Sequence, residues 1–418
     1  MRIEIICTGD EVLSGKTVNT NYSHMAARLQ EAGLDVVWGT TVGDDRDSLI
    51  EAFKLAAVRA DAVIVNGGLG PTVDDLSQEV AAEAAGVSLE LNEGWLENIE
   101  GFYAARGREM PPNNRKQAML PVGSEFIDNP IGTACGFAID IGNARFLFTP
   151  GVPREIHLML QAEIIPRLLS LSGVQHVVRV KRFHSFGLGE SRVDNMLSGV
   201  EDLASSGEVK LGFQAHYPQL ETKLFARGAD EADITRMLAP VETAVREQLG
   251  SYLLCEGDET LEGSIIARLR EAAGTLAVAE CGTDGQVASR LVGADREGEV
   301  FRRGTLGPSV QALGQAVGGE DVSLPDAAGA AVLAEAVRKS ARTTHGLCVL
   351  VGPGDTPSEG LVFIGLSRAG ETTLTRAACI VGGPERVRGG GIEMGLDCVR
   401  RLLSGLSIDD PVDFEKQT

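Results

Sequence analysis

Residues 61–78 read DAVIVNGGLGPTVDDLSQ, and this stretch decides the fold. The apolar residues 62–65 are mostly β-branched and too few for a helix, so they predict a short buried strand. Gly67, Gly68 and Gly70 follow at once and allow a sharp turn that brings the backbone close to a ligand. The pattern therefore predicts a strand, a glycine loop and then a helix.

Three polar residues follow Pro71 and are expected to cap the next helix: Thr72, Asp74 and Asp75. The amide-rich start of a helix is a natural seat for an anion, which favours a phosphate-bearing ligand. The glycine spacing matches neither the dinucleotide-binding motif nor the P-loop. An ordinary strand-to-helix turn with a helix cap is the alternative interpretation.

The preceding sequence repeats the same alternation of strand and helix. Residues 3–7 and 36–41 are predicted strands, and each is followed by a helical pattern. Such alternation implies a doubly wound α/β domain with a parallel sheet and helices on both faces. Ligands of these sheets bind beyond the carboxyl ends of the strands, where residues 9–11, 43–45 and 67–75 all lie. This convergence predicts a binding site at that edge.

Composition limits the class of protein. The chain has 418 residues and a net charge of −21, which argues against binding to nucleic acid or a membrane surface. Its 43% hydrophobic content is that of a soluble globular protein, and it contains no signal peptide or apolar run that could span a bilayer. We therefore expect a cytoplasmic protein. The 7 cysteines lack zinc-like spacing and are expected to be reduced thiols.

The length predicts more than one domain. We expect a doubly wound α/β domain at residues 1–172, a small α+β domain at 173–256 and a C-terminal α/β domain at 257–418. The middle segment carries strand patterns followed by a helix at residues 232–249, while the third returns to strand and helix alternation near Thr260.

The motifs of the first 170 residues occur in the order seen in the CinA family, which this chain resembles. They are GDE at 9–11, NTN at 19–21, GGLGPT at 67–72 with the acid pair at 74–75, NRKQA at 114–118, NPIGT at 129–133 and PGVP at 150–153. The resemblance implies that the first domain has the MoaB/Mog molybdopterin-binding fold. It also implies a metal-dependent pyrophosphatase acting on ADP-ribose.

The resemblance and the predicted strand ends together suggest roles for individual residues. Asp74, Asp75 and Lys116 would be catalytic, and a divalent metal ion would be held by Asp74, Asp75 and Asp44. The ligand would be a small nucleotide, with no nucleic-acid or membrane partner, and the protein would be a homo-oligomer, with a dimer favoured. The expected substrate-binding residues are Gly9, Asp10, Glu11, Asn19, Gly67, Gly68, Gly70, Pro71, Thr72, Gly132, Thr133 and Gly151.

The C-terminal segment resembles the family's amidase domain, which deamidates nicotinamide mononucleotide. Where that domain has Glu-Ser-Cys-Thr-Gly-Gly, this chain has Glu280-Cys-Gly-Thr-Asp-Gly285, so Cys281 occupies the position of the nucleophilic serine. Glu280, Cys281 and Thr283 therefore mark a degenerate amidase site. The family's tyrosine and lysine segment has no counterpart near residues 301–313, and its later glycine loop is shortened to residues 351–354.

Two alternatives to the pyrophosphatase remain open from the sequence. One is deamidation of nicotinamide mononucleotide at Cys281, whose thiol a helix dipole could activate. A cysteine nucleophile also needs a positioned base, and no histidine can be placed beside Cys281 from the sequence, so an inert thiol is favoured. The other alternative is a pterin- or nucleotide-binding module without turnover.

Overall fold

The computed structural model describes residues 1–173, 177–204, 208–319 and 322–416. The described part of the chain forms two compact units. The division into three domains stays a prediction. The first unit is Met1–Arg179 with Arg227–Glu231, and the second is Val180–Ala226 with Ala232–Thr418.

The first unit is built on a six-stranded sheet with the order β2-β1-β3-β8-β7-β6. The four strands β2, β1, β3 and β8 are mutually parallel. Strand β7 pairs antiparallel with β8, and β6 pairs antiparallel with β7. A small ladder of β4 and β5 lies apart from this sheet. The strands are β1 (Ile3–Thr8), β2 (Val36–Val42), β3 (Ala62–Asn66), β4 (Leu89–Leu91), β5 (Met119–Pro121), β6 (Glu125–Ile127), β7 (Gly136–Ile141) and β8 (Ala144–Thr149).

Helices cover both faces of this sheet. Successive side chains of a strand point to opposite faces, so an apolar strand such as β3 needs a core on each face. Val63 and Val65 pack with Phe53 in one core, and Ile64 packs with Met25 in the other. This arrangement confirms the expected α/β class. The helices are α1 (Asp10–Leu13), α2 (Thr20–Glu31), α3 (Arg46–Arg59), α4 (Ser77–Ala85), α5 (Glu93–Ala104), α6 (Pro153–Met159) and α7 (Ile165–Ser172), with a 3₁₀ segment at Pro112–Ala118 and a π segment at Leu160–Ile164.

One local expectation is wrong. The polar residues after Pro71 do not cap the next helix. Helix α4 begins at Ser77, its N-cap residue is Leu76, and no side chain accepts a hydrogen bond as a cap there. Instead, Thr72 donates to the Asp75 carboxylate from its backbone amide at 2.8 Å and from its hydroxyl. These residues therefore close a turn of their own before the helix starts.

The second unit begins with a four-stranded sheet in the order β10-β11-β9-β12. Its central hairpin pairs Val209 with Ala226 and His216 with Gln219. The elements of this part are β9 (Val177–Phe186), α8 (Glu190–Met196), β10 (Val209–His216), β11 (Gln219–Gly228), α9 (Glu231–Leu249) and β12 (Leu253–Glu256), with 3₁₀ turns at Val200–Leu203 and Gly250–Tyr252.

The rest of the second unit is a five-stranded sheet with the order β14-β13-β15-β16-β17. Strands β14, β13 and β15 are mutually parallel. Strand β16 pairs antiparallel with β15, and β17 pairs antiparallel with β16. Helices pack on both of its faces. The elements are α10 (Leu261–Glu271), β13 (Leu276–Cys281), α11 (Gln286–Ala294), β14 (Phe301–Leu306), α12 (Val310–Val317), α13 (Ala327–Ala341), β15 (His345–Pro353), β16 (Glu359–Arg368), β17 (Leu374–Val381) and α14 (Pro384–Leu403).

No helix within the described residues combines the length and the apolar character that crossing a bilayer requires.

Candidate functional site

A cavity of about 320 Å³ lies at the carboxyl ends of β1, β3 and β8, where the sequence predicts a ligand. Its wall is formed by the glycine loop after β3, the turn after β1 and the turn after β8. The residues that line it are Thr8, Gly9, Glu11, Asp44, Gly67, Gly68, Leu69, Gly70, Asp74, Asp75, Thr133, Ala134, Pro150, Gly151, Val152 and Glu155.

The glycine loop presents backbone amides to this cavity. The amide of Gly67 donates to Thr149 at 2.9 Å and closes the turn. The amides of Gly68, Leu69 and Gly70 have no acceptor among the described residues. Gly67 has a φ of +114°, and a Cβ on it would lie 2.5 Å from the Thr8 hydroxyl, so only glycine fits there. The loop therefore leaves three donors for a ligand or for water.

The Thr8 side chain is a further polar group of the cavity wall. Thr8 is only 7% exposed, and its hydroxyl has no hydrogen-bond partner in the described structure. A buried polar group without a partner costs free energy, which makes such a group rare in a native protein. No pattern in the sequence singles out Thr8, because threonine is an ordinary residue at the end of a strand.

Five carboxylates also line the cavity, those of Glu11, Asp44, Asp74, Asp75 and Glu155. Burial, together with the nearby carboxylates of Asp10, Glu11 and Asp74, raises the pKa of Asp44. Burial also raises the pKa of Glu155, although the Asn129 side-chain amide donates to its carboxylate at 2.8 Å. Glu155 was not among the predicted site residues, although it follows the predicted Gly151 by four positions, in the first turn of α6.

A buried amide network fixes the ends of β3 and β8 relative to each other. Asn66 accepts from Asn21 at 2.9 Å and donates to the Pro150 carbonyl at 2.7 Å. Asn21 also donates to the Gly151 carbonyl at 2.7 Å. Since these side chains are at least nine-tenths buried, the network holds the glycine loop and the turn at Gly151 in register.

The structure brings most of the predicted site residues together and leaves others outside the cavity wall. Lys116 lies beside the glycine loop, where it donates to the Thr72 carbonyl at 3.1 Å and pairs with Glu79 at 3.5 Å. Asn19 caps α2 by accepting from Tyr22. Of the predicted residues, those absent from the wall are Asp10, Asn19, Pro71, Thr72, Lys116 and Gly132.

The predicted metal ligands do not form a recognisable metal site. No group of three or more His, Cys, Asp or Glu side chains in the described residues is arranged to hold a metal ion. The Asp75 carboxylate is already occupied by Thr72, and Asp44 and Asp10 each accept from the other's backbone amide at 3.1 to 3.2 Å. The described residues therefore show no three-ligand group at these carboxylates, and metal dependence stays a prediction.

The degenerate amidase site lies at the carboxyl end of β13. Glu280 is fully buried and accepts from the amides of Val287 and Ala288 at 3.1 and 3.0 Å, and from the Thr283 hydroxyl. It therefore serves as a structural cap for the start of α11. Burial raises the pKa of the adjacent Cys281 thiol, which keeps it protonated at neutral pH.

His345 does not stand beside this thiol. In the pairing of β13 with β15, Cys281 lies opposite Leu350, whereas His345 lies opposite Leu276. His345 is thus five residues away along the strand, or about 16 Å at roughly 3.3 Å per residue. The expectation that His345 cannot act as a base for Cys281 agrees with this register.

Family models match two parts of the chain. Residues 4–170 match the model described as "Probable molybdopterin binding domain". Residues 180–254 match the model described as "Damage-inducible protein CinA KH domain". A crystal structure of the protein CinA from Thermoplasma acidophilum covers 41% of this chain and 98% of its own, with 34% identity and a TM-score of 0.37.

Relatives extend the match to nearly the whole chain. A CinA-like protein of Frankia casuarinae is 36% identical over 423 residues, which cover 97% of each chain. The chain belongs to the CinA family. A CinA-like protein of Myxococcus xanthus is also 36% identical, over 96% of this chain and 98% of its own.

One CinA relative has a name that states an activity. The nicotinamide-nucleotide amidohydrolase PncC of Shewanella oneidensis is 37% identical over 78% of this chain and 76% of its own. An amidohydrolase cleaves a carbon–nitrogen bond and not a diphosphate. The expectation that this CinA chain is an ADP-ribose pyrophosphatase is therefore wrong, and only its membership of the CinA family and its fold are carried forward.

Proposed function

We propose that the first unit binds a pterin or a nucleotide in the cavity at the strand ends and does not turn it over. The observation that carries this proposal is the unpartnered Thr8 hydroxyl beside the three unused amides of the glycine loop. Together these four groups are preorganised donors for the oxygens of a phosphate group. The match of residues 4–170 to the molybdopterin-binding model supports the same class of ligand.

The acidic side of the cavity selects the other half of the ligand. Glu11, Asp44 and Glu155 line it, and no lysine or arginine does among the described residues. Carboxylates repel a bare polyanion but accept hydrogen bonds from ring N–H and amino groups. Pterins and purine nucleotides carry both a phosphate and an N–H-rich ring, so they match both sides of this cavity.

Calorimetric titration of the full chain with a phosphorylated pterin and with nucleoside diphosphates tests this function. We expect binding without release of product, and Thr8→Val should weaken binding about tenfold, since one hydrogen bond to a charged group is lost. Thr8→Ser keeps the hydroxyl and is the matched control. The proposal would be refuted if the wild type did not bind, or if Thr8→Val bound as tightly as the wild type. A parallel series with Mg²⁺ tests the predicted metal requirement.

The second candidate function is amide hydrolysis at Cys281, which the name of the Shewanella oneidensis relative supports. This chemistry needs a nucleophile and a base that activates it. The buried Cys281 thiol has a raised pKa, and the register of β13 and β15 keeps His345 at the far end of the sheet. The geometry therefore supports this candidate less well than ligand binding.

Release of ammonia from nicotinamide mononucleotide by the full chain decides the second candidate. We expect no release from the wild type, and none from Cys281→Ser, because the proton acceptor would still be absent. Steady release that disappears in Cys281→Ala would establish Cys281 as a working nucleophile and would make amide hydrolysis the function of this segment.

A further inference from the structure

A second cavity, of about 300 Å³, lies in the C-terminal sheet region at the end opposite Cys281. It is enclosed by the end of α10, the start of β15, the end of β16 and the end of α14. Its polar wall consists of Arg268, Thr344, His345 and Arg368, and Leu402 and Leu403 close one side. Because β15 runs parallel to β13, this is the amino end of the parallel strands, away from the degenerate amidase site.

The wall of this cavity is basic. None of its lining residues, all of which are described, is an aspartate or a glutamate. Arg368 pairs at 2.9 Å with Glu371, but both side chains are about half exposed, so the pair is weak. Arg268 has no carboxylate within ion-pair distance among the described residues and only a long contact of 3.4 Å to Ser264. Its charge is therefore available to an anion.

His345 supplies an unused acceptor in the same wall. The Thr344 hydroxyl donates to the Thr275 carbonyl at 2.9 Å, so its one proton is taken. The contact of 2.8 Å between this hydroxyl and His345 Nδ1 therefore requires Nδ1 to carry the proton. In the neutral ring Nε2 is then an acceptor, and it has no partner although His345 is only 6% exposed.

We propose that this cavity binds a phosphate group that carries at least one proton, either as inorganic phosphate or as a phosphate monoester. Such a group presents anionic oxygens to Arg268 and Arg368 and an O–H donor to His345 Nε2. Sulfate presents acceptors only, so it can contact Arg268 and Arg368 but leaves His345 Nε2 without a partner unless the ring gains a proton. An ionised carboxylate group likewise offers only hydrogen-bond acceptors.

The surroundings of His345 oppose protonation. Burial lowers the pKa of His345, and the positive charges of Arg368 and Arg338 lower it further. The Thr275 backbone and the Glu371 carboxylate act in the opposite direction. The balance favours the neutral ring, which is the form that accepts a hydrogen bond from a phosphate O–H.

Calorimetric titration of the full chain with inorganic phosphate and with sulfate, at about pH 6, tests the proposal. A phosphate monoester is substantially monoprotonated near this pH. We expect phosphate to bind about tenfold or more tightly than sulfate, because only phosphate satisfies Nε2. A titration with ribose 5-phosphate, compared with that of inorganic phosphate, distinguishes the ester from the free ion.

Three variants locate the site. Arg268→Gln should weaken phosphate binding about tenfold or more, whereas Arg303→Gln, on an exposed position of β14, should leave it unchanged. His345→Leu should remove the preference for phosphate over sulfate. Equal affinities for the two anions in the wild type, or equal effects of the two arginine variants, would overturn the proposal.

Discussion

Polar side chains buried beside the first cavity determine its shape. Asn66 is 4% exposed, and its amide group has a donor on one side and an acceptor on the other. Such a side chain tolerates no change of hydrogen-bonding character, because a buried polar group without a partner costs about 1–3 kcal/mol. By contrast, the unpartnered Thr8 hydroxyl contributes no hydrogen bond to the fold and is free for a ligand.

Asn66→Asp should destabilise the first unit by about 3 kcal/mol, since it places a carboxylate oxygen against the Pro150 carbonyl. Urea denaturation followed by tryptophan fluorescence measures this, because both tryptophans, Trp38 and Trp95, lie in the first unit. The control is Asn92→Asp, where the residue caps α5 and Asp caps equally well. Equal midpoints for the two variants would show that the buried network is not needed.

Helix α14 shows how one element is adapted to its sheet. Its middle is buried on all sides and includes Gly391 and Gly395. A Cβ on Gly395 would lie 2.6 Å from Val349 Cγ2 on β15, so the helix approaches the sheet more closely than alanine permits. Gly101 in α5 is the opposite case, since no atom lies within 4 Å of its virtual Cβ.

Two glycine-to-alanine substitutions should therefore have opposite signs. Gly101→Ala should stabilise by about 0.5–1 kcal/mol, the usual gain in helix propensity. Gly395→Ala should destabilise by about 1–2 kcal/mol, because the cost of overpacking exceeds that gain. Differential scanning calorimetry gives both shifts. A higher melting temperature for Gly395→Ala would contradict this expectation and would mean that β15 shifts at little cost to make room for the added methyl group.

An ion-pair network joins α9 to β12. Arg246 donates to the Glu256 carboxylate at 2.6 Å, and Lys181 approaches it at 2.6 Å. The Arg246 hydrogen bonds, more than any other cause, lower the pKa of Glu256 to about 2. Since the folded-state pKa is depressed, the network stabilises the fold above the ordinary glutamate pKa, and this contribution disappears as the pH falls toward 2.

Arg246→Gln should accordingly lower the free energy of unfolding by about 1 kcal/mol at neutral pH, as expected for a partly exposed pair. The difference from the wild type should shrink between about pH 4.5 and pH 2, where Glu256 becomes protonated. Denaturation followed by circular dichroism over this range measures it. Arg236→Gln, in the more exposed pair with Asp233 on the same helix, is the control. A constant difference at every pH would exclude the ion pair as its cause.

At the scale of the whole molecule, the second unit extends across the predicted boundary at residue 257. Arg400 and Arg401 of α14 donate to the Ser251 carbonyl at 2.7 and 3.2 Å. Gln219 of β11 donates to the buried Glu393 at 2.6 Å. Removal of the middle segment would take one hydrogen-bond partner from each of these charged groups, and the loss of a hydrogen bond to a buried charge is costly.

A fragment of residues 258–418 should therefore melt about 10 °C below a fragment of residues 177–418, given a few °C per kcal/mol for chains of this size. Calorimetry of both fragments measures the difference. Equal melting temperatures would show that the C-terminal segment is an independent domain, as the three-domain prediction assumes. Analytical ultracentrifugation of the full chain tests the predicted homo-oligomer.

The local sequence was sufficient for the elements and for the edge of the sheet where the first cavity forms. Strand β3 and the glycine loop lie where the sequence predicts them. Each depends on side-chain periodicity and backbone freedom over a few neighbouring residues, which the sequence displays directly. The family motifs were sufficient for membership of the CinA family.

Only the tertiary structure decided which side chains meet. It brought Glu155 and Thr8 into one cavity, placed His345 and Arg268 in the wall of another, and kept His345 far from Cys281. These groups are separated by tens of residues along the chain, and their proximity follows from strand order and register. Because a side chain's pKa and its free hydrogen-bonding capacity depend on such neighbours, no local pattern could have predicted them.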